Sequence, residues 1–130
     1  MQNGTKYVGL ICVDYFQLFG SRAYYADAKD ESSYISRVLK RIAEENKAPV
    51  ICLANLPLSV EERADKRPVL SDVLGNEWSD VVIGLYRDAY YNPESQYNFA
   101  EAIVLKNYWG QEGTVKLGWN GECTSFYTIH

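Results

Sequence analysis

An α/β fold, with parallel strands first and an antiparallel hairpin last, is predicted by three features of the sequence. Two short, nearly all-apolar runs, "YVGLICV" (residues 7–13) and "PVICLANL" (49–56), flank a stretch of helical periodicity. Apolar runs of that length suit strands buried on both faces, and strand, helix and strand in this order make a right-handed βαβ unit. Near the carboxyl end, "GTVKLGW" and "ECTSFYTI" bracket Asn120-Gly121, a pair that favours a two-residue hairpin turn. At 130 residues the chain reads as one domain, 1–130, long enough for a single core.

The first strand runs into Asp14. An acid there is either a carboxylate placed for chemistry or a solvated strand terminus. "FGSRAYYADAKD" (19–30) has no clear period and reads as a polar loop. "ESSYISRVLKRIAEEN" then places Ile35, Val38, Leu39, Ile42 and Ala43 at helical spacing, with Arg37, Lys40, Arg41 and Glu44 on the other face. Asp30 or Ser32 is expected to cap its start, and Pro49 ends it. Residues 57–80, rich in charge with Pro57, Pro68 and Gly75, read as a long loop with one helical turn; such loops are usually functional or mobile. "VVIGLYR" (81–87) is a third buried strand, "DAYYNPESQYN" (88–98) a turn-rich excursion, and "FAEAIVLKN" (99–107) a fourth strand.

Composition excludes several function classes. Hydrophobic residues make up 47% and aromatic residues 14%, as in a globular protein rather than a disordered one. The formal net charge of −4 argues against generic affinity for phosphate backbones. No apolar run reaches membrane-spanning length, and "MQNGTKY" lacks the apolar core of a signal peptide. The Asn3-Gly4-Thr5 sequon is therefore not read as a glycosylation site. Cys12, Cys52 and Cys123 are far apart, without a C-x-x-C pair, and the one histidine is His130. A zinc site or a histidine-based triad is excluded on those grounds. Cysteine usage points to a reducing, cytoplasmic compartment.

Taken in order, "GLICVDYFQLF", "ISRVLKRIAEENKAPVICLANL", "ERADKRPVLSD", "VVIGLYRDAYYNPE", "AEAIVLKN" and "GTVKLGWNGECTSF" resemble the C-terminal half of the ATPase core of DnaB-type replicative DNA helicases. The resemblance covers essentially the whole chain, from the Walker B strand onward. It implies a partial RecA-like P-loop NTPase core from a ring-forming hexameric motor that uses ATP to move on single-stranded DNA. On this resemblance Asp14 corresponds to the Walker B aspartate, which helps to hold Mg²⁺ on the nucleotide phosphates. Arg63, Lys66 and Arg67 align with the DNA-facing loop; read from charge alone, they form a solvated cluster nearly cancelled by Glu61, Glu62 and Asp65. Asn55 stands where the family has a glutamine, and Lys106 matches the lysine of the family's K-x-R-x-G turn.

Several parts are missing or changed. The phosphate-binding loop, G-x-x-x-x-G-K-S/T, does not occur in the sequence, and its backbone N–H groups and lysine supply most of the phosphate binding. Leu58 replaces a basic family position, and Trp78 stands in a shortened segment where polar residues are expected. The finger turn reads "KNYWG", with Tyr108 in place of the arginine; a tyrosine supplies no fixed positive charge. ATP and Mg²⁺ are thus cofactors of the family, but the chain alone is expected to bind neither and to lack autonomous ATPase activity. Tyr108 and Trp109 either anchor a protein interface or cover a core face opened by the absent half; the second is preferred. Tyr24, Tyr25, Tyr90 and Tyr91 are read as half-buried loop anchors rather than base-stacking platforms.

The resemblance also places a strand between "PVICLANL" and "VVIGLYR" that this sequence lacks. The two flanking strands are expected to pair directly, or to receive a strand from a second copy or another chain. Two function classes follow. One is a helicase fragment that works only when the phosphate-loop half is supplied; the other is a non-catalytic module that associates with helicase subunits or with itself. Starting at the Walker B strand fits a truncated product under either.

Overall fold

The computed structural model describes residues 7–20, 28–95 and 98–129. It falls into two compact units, Met1–Asn55 with Val73–Ser79, and Leu56–Asp72 with Asp80–His130.

In the first unit, β1 (Ile11–Val13) pairs in parallel with β2 (Val50–Cys52), Ile11 opposite Val50 and Val13 opposite Cys52. Between them runs α1 (Ala28–Asn46), so the expected βαβ unit is present. The periodicity explains α1: Ile35, Val38, Leu39, Ile42 and Ala43 are half-buried, while Arg37, Arg41 and Glu44 are exposed. Its exposed i,i+4 pairs, Lys40–Glu44 at 3.9 Å and Arg41–Glu45 at 3.1 Å, each contribute at most about 0.5 kcal/mol. The helix closes with the Asn46 side-chain amide donating to the Ile42 carbonyl at 2.8 Å, followed by Lys47 at φ +50° and Pro49.

The most buried positions of α1 are Ser32 and Ser36, not its aliphatic residues. Both hydroxyls donate back into the helix, Ser32 to the Ala28 carbonyl at 2.6 Å and Ser36 to that of Ser33 at 3.1 Å, so burial leaves neither donor unsatisfied. Ser32 therefore lies within the helix and does not cap it; Asp30 is inside the first turn as well. Small side chains on this face admit Gly75, whose φ of +76° suits glycine. A Cβ there would lie 2.8 Å from the Ser32 carbonyl oxygen and 3.1 Å from the Phe16 ring.

The second unit is a four-stranded antiparallel sheet in the order β3 (Val81–Tyr86), β4 (Phe99–Asn107), β5 (Gly113–Asn120), β6 (Ser125–Thr128). The antiparallel part is thus larger than a terminal hairpin. Two single-turn helices, α2 (Ser59–Glu62) and α3 (Asp88–Tyr91), flank it. Val60, Val82 and Ala100 form its buried apolar centre, Val60 only 2% exposed. The 63–72 loop lies against β3: a Cβ on Gly84 would sit 2.4 Å from Pro68 Cγ.

Three expectations are corrected. First, of the alternatives for the missing strand, direct pairing is not found: β2 and β3 belong to separate sheets. A three-residue β2 offers too few ladder bonds to hold a second neighbour. Second, β3 is not buried on both faces: Val82 and Gly84 point inward, whereas Val81, Ile83 and Leu85 are exposed. Third, the β5–β6 connection is a four-residue loop, 121–124, because Asn120 pairs with Ser125. The Asn120 side chain accepts a 3.0 Å bond from the Glu122 N–H, and Thr124 takes φ +48°. A Trp119–Phe126 ring contact at 4.9 Å favours this register over the tighter turn.

Candidate functional site

The end of the parallel pair gathers two of the anticipated residues. β1 delivers Asp14, exposed, to the carboxyl end of the strands, and the chain leaving β2 brings Asn55 to the same end. Two backbone bonds tie these exits together: Leu53 N–H to the Val13 carbonyl at 2.9 Å, and Phe16 N–H to that of Leu53 at 2.7 Å. The side chain of Gln17 then brackets Asn55, donating to its carbonyl at 2.8 Å and accepting from its N–H at 3.1 Å. Gln17 carries no sequence signal beyond its place after the acid. The Asp14–Tyr15 peptide is cis. Ligands of open α/β sheets bind at this end of the strands.

Mg²⁺-ATP is the ligand the resemblance implies there. The donor set is one exposed carboxylate and one amide, without a glycine-rich cradle in the sequence, and no group of three or more His, Cys, Asp or Glu among the described residues could hold a metal. Octahedral Mg²⁺ held chiefly through nucleotide phosphates needs that cradle. On their own, these residues do not fit Mg²⁺-ATP. Burial pushes the thiol of nearby Cys52 above its ordinary pKa.

The three basic residues assigned to the DNA-facing loop lie in the second unit and are engaged within it. Arg63 grips Asp72 with two bonds of 3.0 and 2.8 Å and donates a third to the Arg67 carbonyl at 2.8 Å. Burial raises the Asp72 carboxyl, but the Val69 N–H and the Arg63 guanidinium outweigh it and hold it below the usual range. Lys66 Nζ donates to the carbonyls of Glu61 and Arg63 at 2.6 and 2.9 Å. Arg67 clasps Glu101 through Nε at 2.7 Å and Nη2 at 2.8 Å, and stacks over Tyr86 at 4.5 Å. Those bonds from Arg67 hold the Glu101 carboxyl below its ordinary value despite burial. The arrangement builds a braced loop whose main donors face inward.

Lys106 lies in β4 opposite Val82, in the other unit from Asp14. Beyond it, Tyr108 and Trp109 are 76% and 71% exposed and meet edge to face at 5.6 Å. They cover no core face among the described residues, which corrects the preferred expectation. Asn107 shapes their turn, accepting from the Trp109 N–H at 3.2 Å and donating to the Gln111 carbonyl at 3.3 Å. Tyr91 is half-buried as expected, its hydroxyl donating to Glu61 at 3.0 Å, but Tyr90 is 66% exposed. Tyr24 and Tyr25 lie outside the described residues.

Comparison with known proteins agrees with this architecture. The family model of the DnaB-like helicase C-terminal domain matches residues 1–128. The chain is 41% identical over 128 residues to the replicative DNA helicase DnaB of Geobacillus stearothermophilus, and likewise to the replicative DNA helicase DnaC of Bacillus subtilis. In each case 94% of this chain and 28% of the relative are covered, so the chain spans little more than a quarter of those proteins. Among solved structures, one ATPase domain aligns with a TM-score of 0.86 at 36% identity, over 99% of this chain and 47% of that one. A DnaB-like replicative helicase, described with its interactions with primase, aligns with a TM-score of 0.86 at 37% identity, over 99% of this chain and 32% of that one. The partial RecA-like fold is therefore established, and the chain belongs to the family of DnaB-like helicase C-terminal domains.

Proposed function

We propose that this chain is the carboxyl-terminal half of a DnaB-type motor core, able to serve ATP-driven DNA unwinding only in an assembly that supplies the phosphate-binding loop. One observation carries this reading: Asp14 and Asn55 share a strand end that has no phosphate cradle among the described residues. In a completed site Asp14 would hold Mg²⁺ on the phosphates, Asn55 would stand beside them, and Lys106 would act from a neighbouring subunit. Contact with single-stranded DNA through the Arg63, Lys66 and Arg67 loop would be weak and salt-sensitive, since those side chains already brace the loop.

The test is calorimetry with Mg²⁺-ATP on the chain alone, then after mixing with the amino-terminal, phosphate-loop half of a DnaB relative. The expected result is no binding alone and ATP hydrolysis after mixing. Micromolar binding by the chain alone refutes the proposal. A second reading, a non-catalytic module that joins helicase subunits or itself, is favoured by the exposed Tyr108–Trp109 pair, because large aromatics are typical interface anchors. A stable complex without hydrolysis selects that reading.

A further inference from the structure

The parallel ladder of the first unit runs on past the point where β1 ends. Alternate residues of the second strand meet β1 in turn. The Pro49 carbonyl accepts from the Ile11 N–H at 3.0 Å, and Ile51 lies opposite Cys12. Leu53 donates to the Val13 carbonyl at 2.9 Å and accepts from the Phe16 N–H at 2.7 Å. Asn55 is next in that series, but by then β1 has given way to a 3-10 turn, Phe16–Phe19. The side chain of Gln17 takes both backbone groups of Asn55 instead, donating at 2.8 Å and accepting at 3.1 Å. A primary amide carries a donor and an acceptor side by side, as a peptide group does, so Gln17 supplies the rung that a further strand residue would have given.

The base of that side chain is firm. Phe16, its neighbour, is buried and bonded to Leu53, and the Leu18 N–H donates to the Tyr15 carbonyl at 3.1 Å. The rung fixes direction as well as place. Side chains alternate along a strand, so Asp14 falls on the face of Cys12 and a strand-like Asn55 on the face of Ile51. Cys12 and Ile51 are register partners, which puts Asp14 and Asn55 on one face of the pair. The arm of Asn55 is shorter than that of the family's glutamine, so its reach depends on where its backbone is held.

We infer that Gln17 is the positioning residue of this strand end: its side-chain amide replaces a backbone rung and holds Asn55 on the same face as Asp14. Its effect on ATP hydrolysis rests on the completed-site reading proposed above; its hold on Asn55 does not.

The test is solvent exchange of the Asn55 amide by NMR in the full chain, its protection compared among wild type, Gln17→Ala and Gln17→Glu. Gln17→Ala removes both bonds, and Asn55 should exchange about tenfold faster. In Gln17→Glu an ionised carboxylate has no donor and lies against the Asn55 carbonyl, whereas the protonated acid again offers both a donor and an acceptor. Protection in this variant should therefore be reduced at pH 7 and return as pH falls through the ordinary glutamate pKa of about 4.3, a recovery that Gln17→Ala lacks. Signals away from Asn55 report that the fold is kept. In the mixture with the phosphate-loop half, Gln17→Ala should lower kcat about tenfold with KM unchanged, where a loss of stability alone would leave kcat per folded chain as it was. Wild-type protection of Asn55 in Gln17→Ala, no recovery in acid for Gln17→Glu, or an unchanged kcat in a mixture that hydrolyses ATP overturns the inference. A wild-type mixture without hydrolysis refutes the completed-site reading instead, and the exchange measurements then decide the role of Gln17.

Discussion

Replacing Arg67 by Met isolates the interaction that fastens the 63–72 loop to the sheet. The Glu101 side chain is 8% exposed and Arg67 is 43% exposed, so the substitution strands a nearly buried carboxylate while keeping most of the arginine stem. Orphaning a fully buried partner costs roughly 3–5 kcal/mol. The partial exposure of Arg67 discounts this to about 2–3 kcal/mol. With an m-value of about 1.5 kcal/mol per molar urea, the midpoint should fall by about 1.3–2 M at pH 7, read by circular dichroism.

The pH dependence has a definite sign. Arg67 holds the folded Glu101 pKa below its unfolded value of about 4.3. The pair therefore contributes fully above that value and its contribution is lost as pH falls through the folded pKa. In Arg67→Met the buried carboxyl is destabilised when charged and relieved on protonation, so the gap from wild type should narrow near pH 3.5. Adding Glu101→Leu should recover most of the loss, since buried pairs are often replaceable by apolar ones. A midpoint shift below about 0.3 M, or a gap that widens in acid, refutes this account.

Gly84→Ala should destabilise by about 1–3 kcal/mol in the same urea assay, because the added methyl meets the rigid Pro68 ring. Gly75→Ala should cost about 2 kcal/mol, from its positive φ and the contact with the Ser32 carbonyl. Iodoacetamide at pH 8, followed by mass spectrometry, should label the exposed Cys12 and Cys123 before Cys52, whose thiol is held up by burial.

Elements whose signal is local and periodic were legible. The α1 stripe lies where its 3.6-residue period places it, and β3, β4 and both strands of the last hairpin fall on their apolar runs, although β3 is buried on one face only. The Asn120-Gly121 turn misled because local turn chemistry yielded to a register favoured by Trp119 and Phe126 across the strands. The Ser32 cap misled because a hydroxyl that can reach an N-terminal amide can equally donate to a carbonyl four residues back. Asp14 and Asn55 were singled out through family resemblance, which carries position but not surroundings. Composition could not show that Arg67 is claimed by Glu101, 34 residues away, or Arg63 by Asp72. Such pairings are selected by the fold, and the charge run alone looks the same whether its donors face solvent or the loop.

The open side of β3 has a consequence for exchange with solvent. Successive backbone groups of a strand point to opposite neighbours, and β4 is the only strand beside β3 among the described residues. Half of its amides are therefore latched to β4 and half face outward. Deuterium uptake along 81–86 should alternate between slow and fast positions, with the rhythm broken by the irregularity between Val82 and Ile83. A polypeptide that lies against that side would erase the alternation and slow every amide in the strand. The loss of a two-residue beat would thus be a direct reporter of a strand added beside β3.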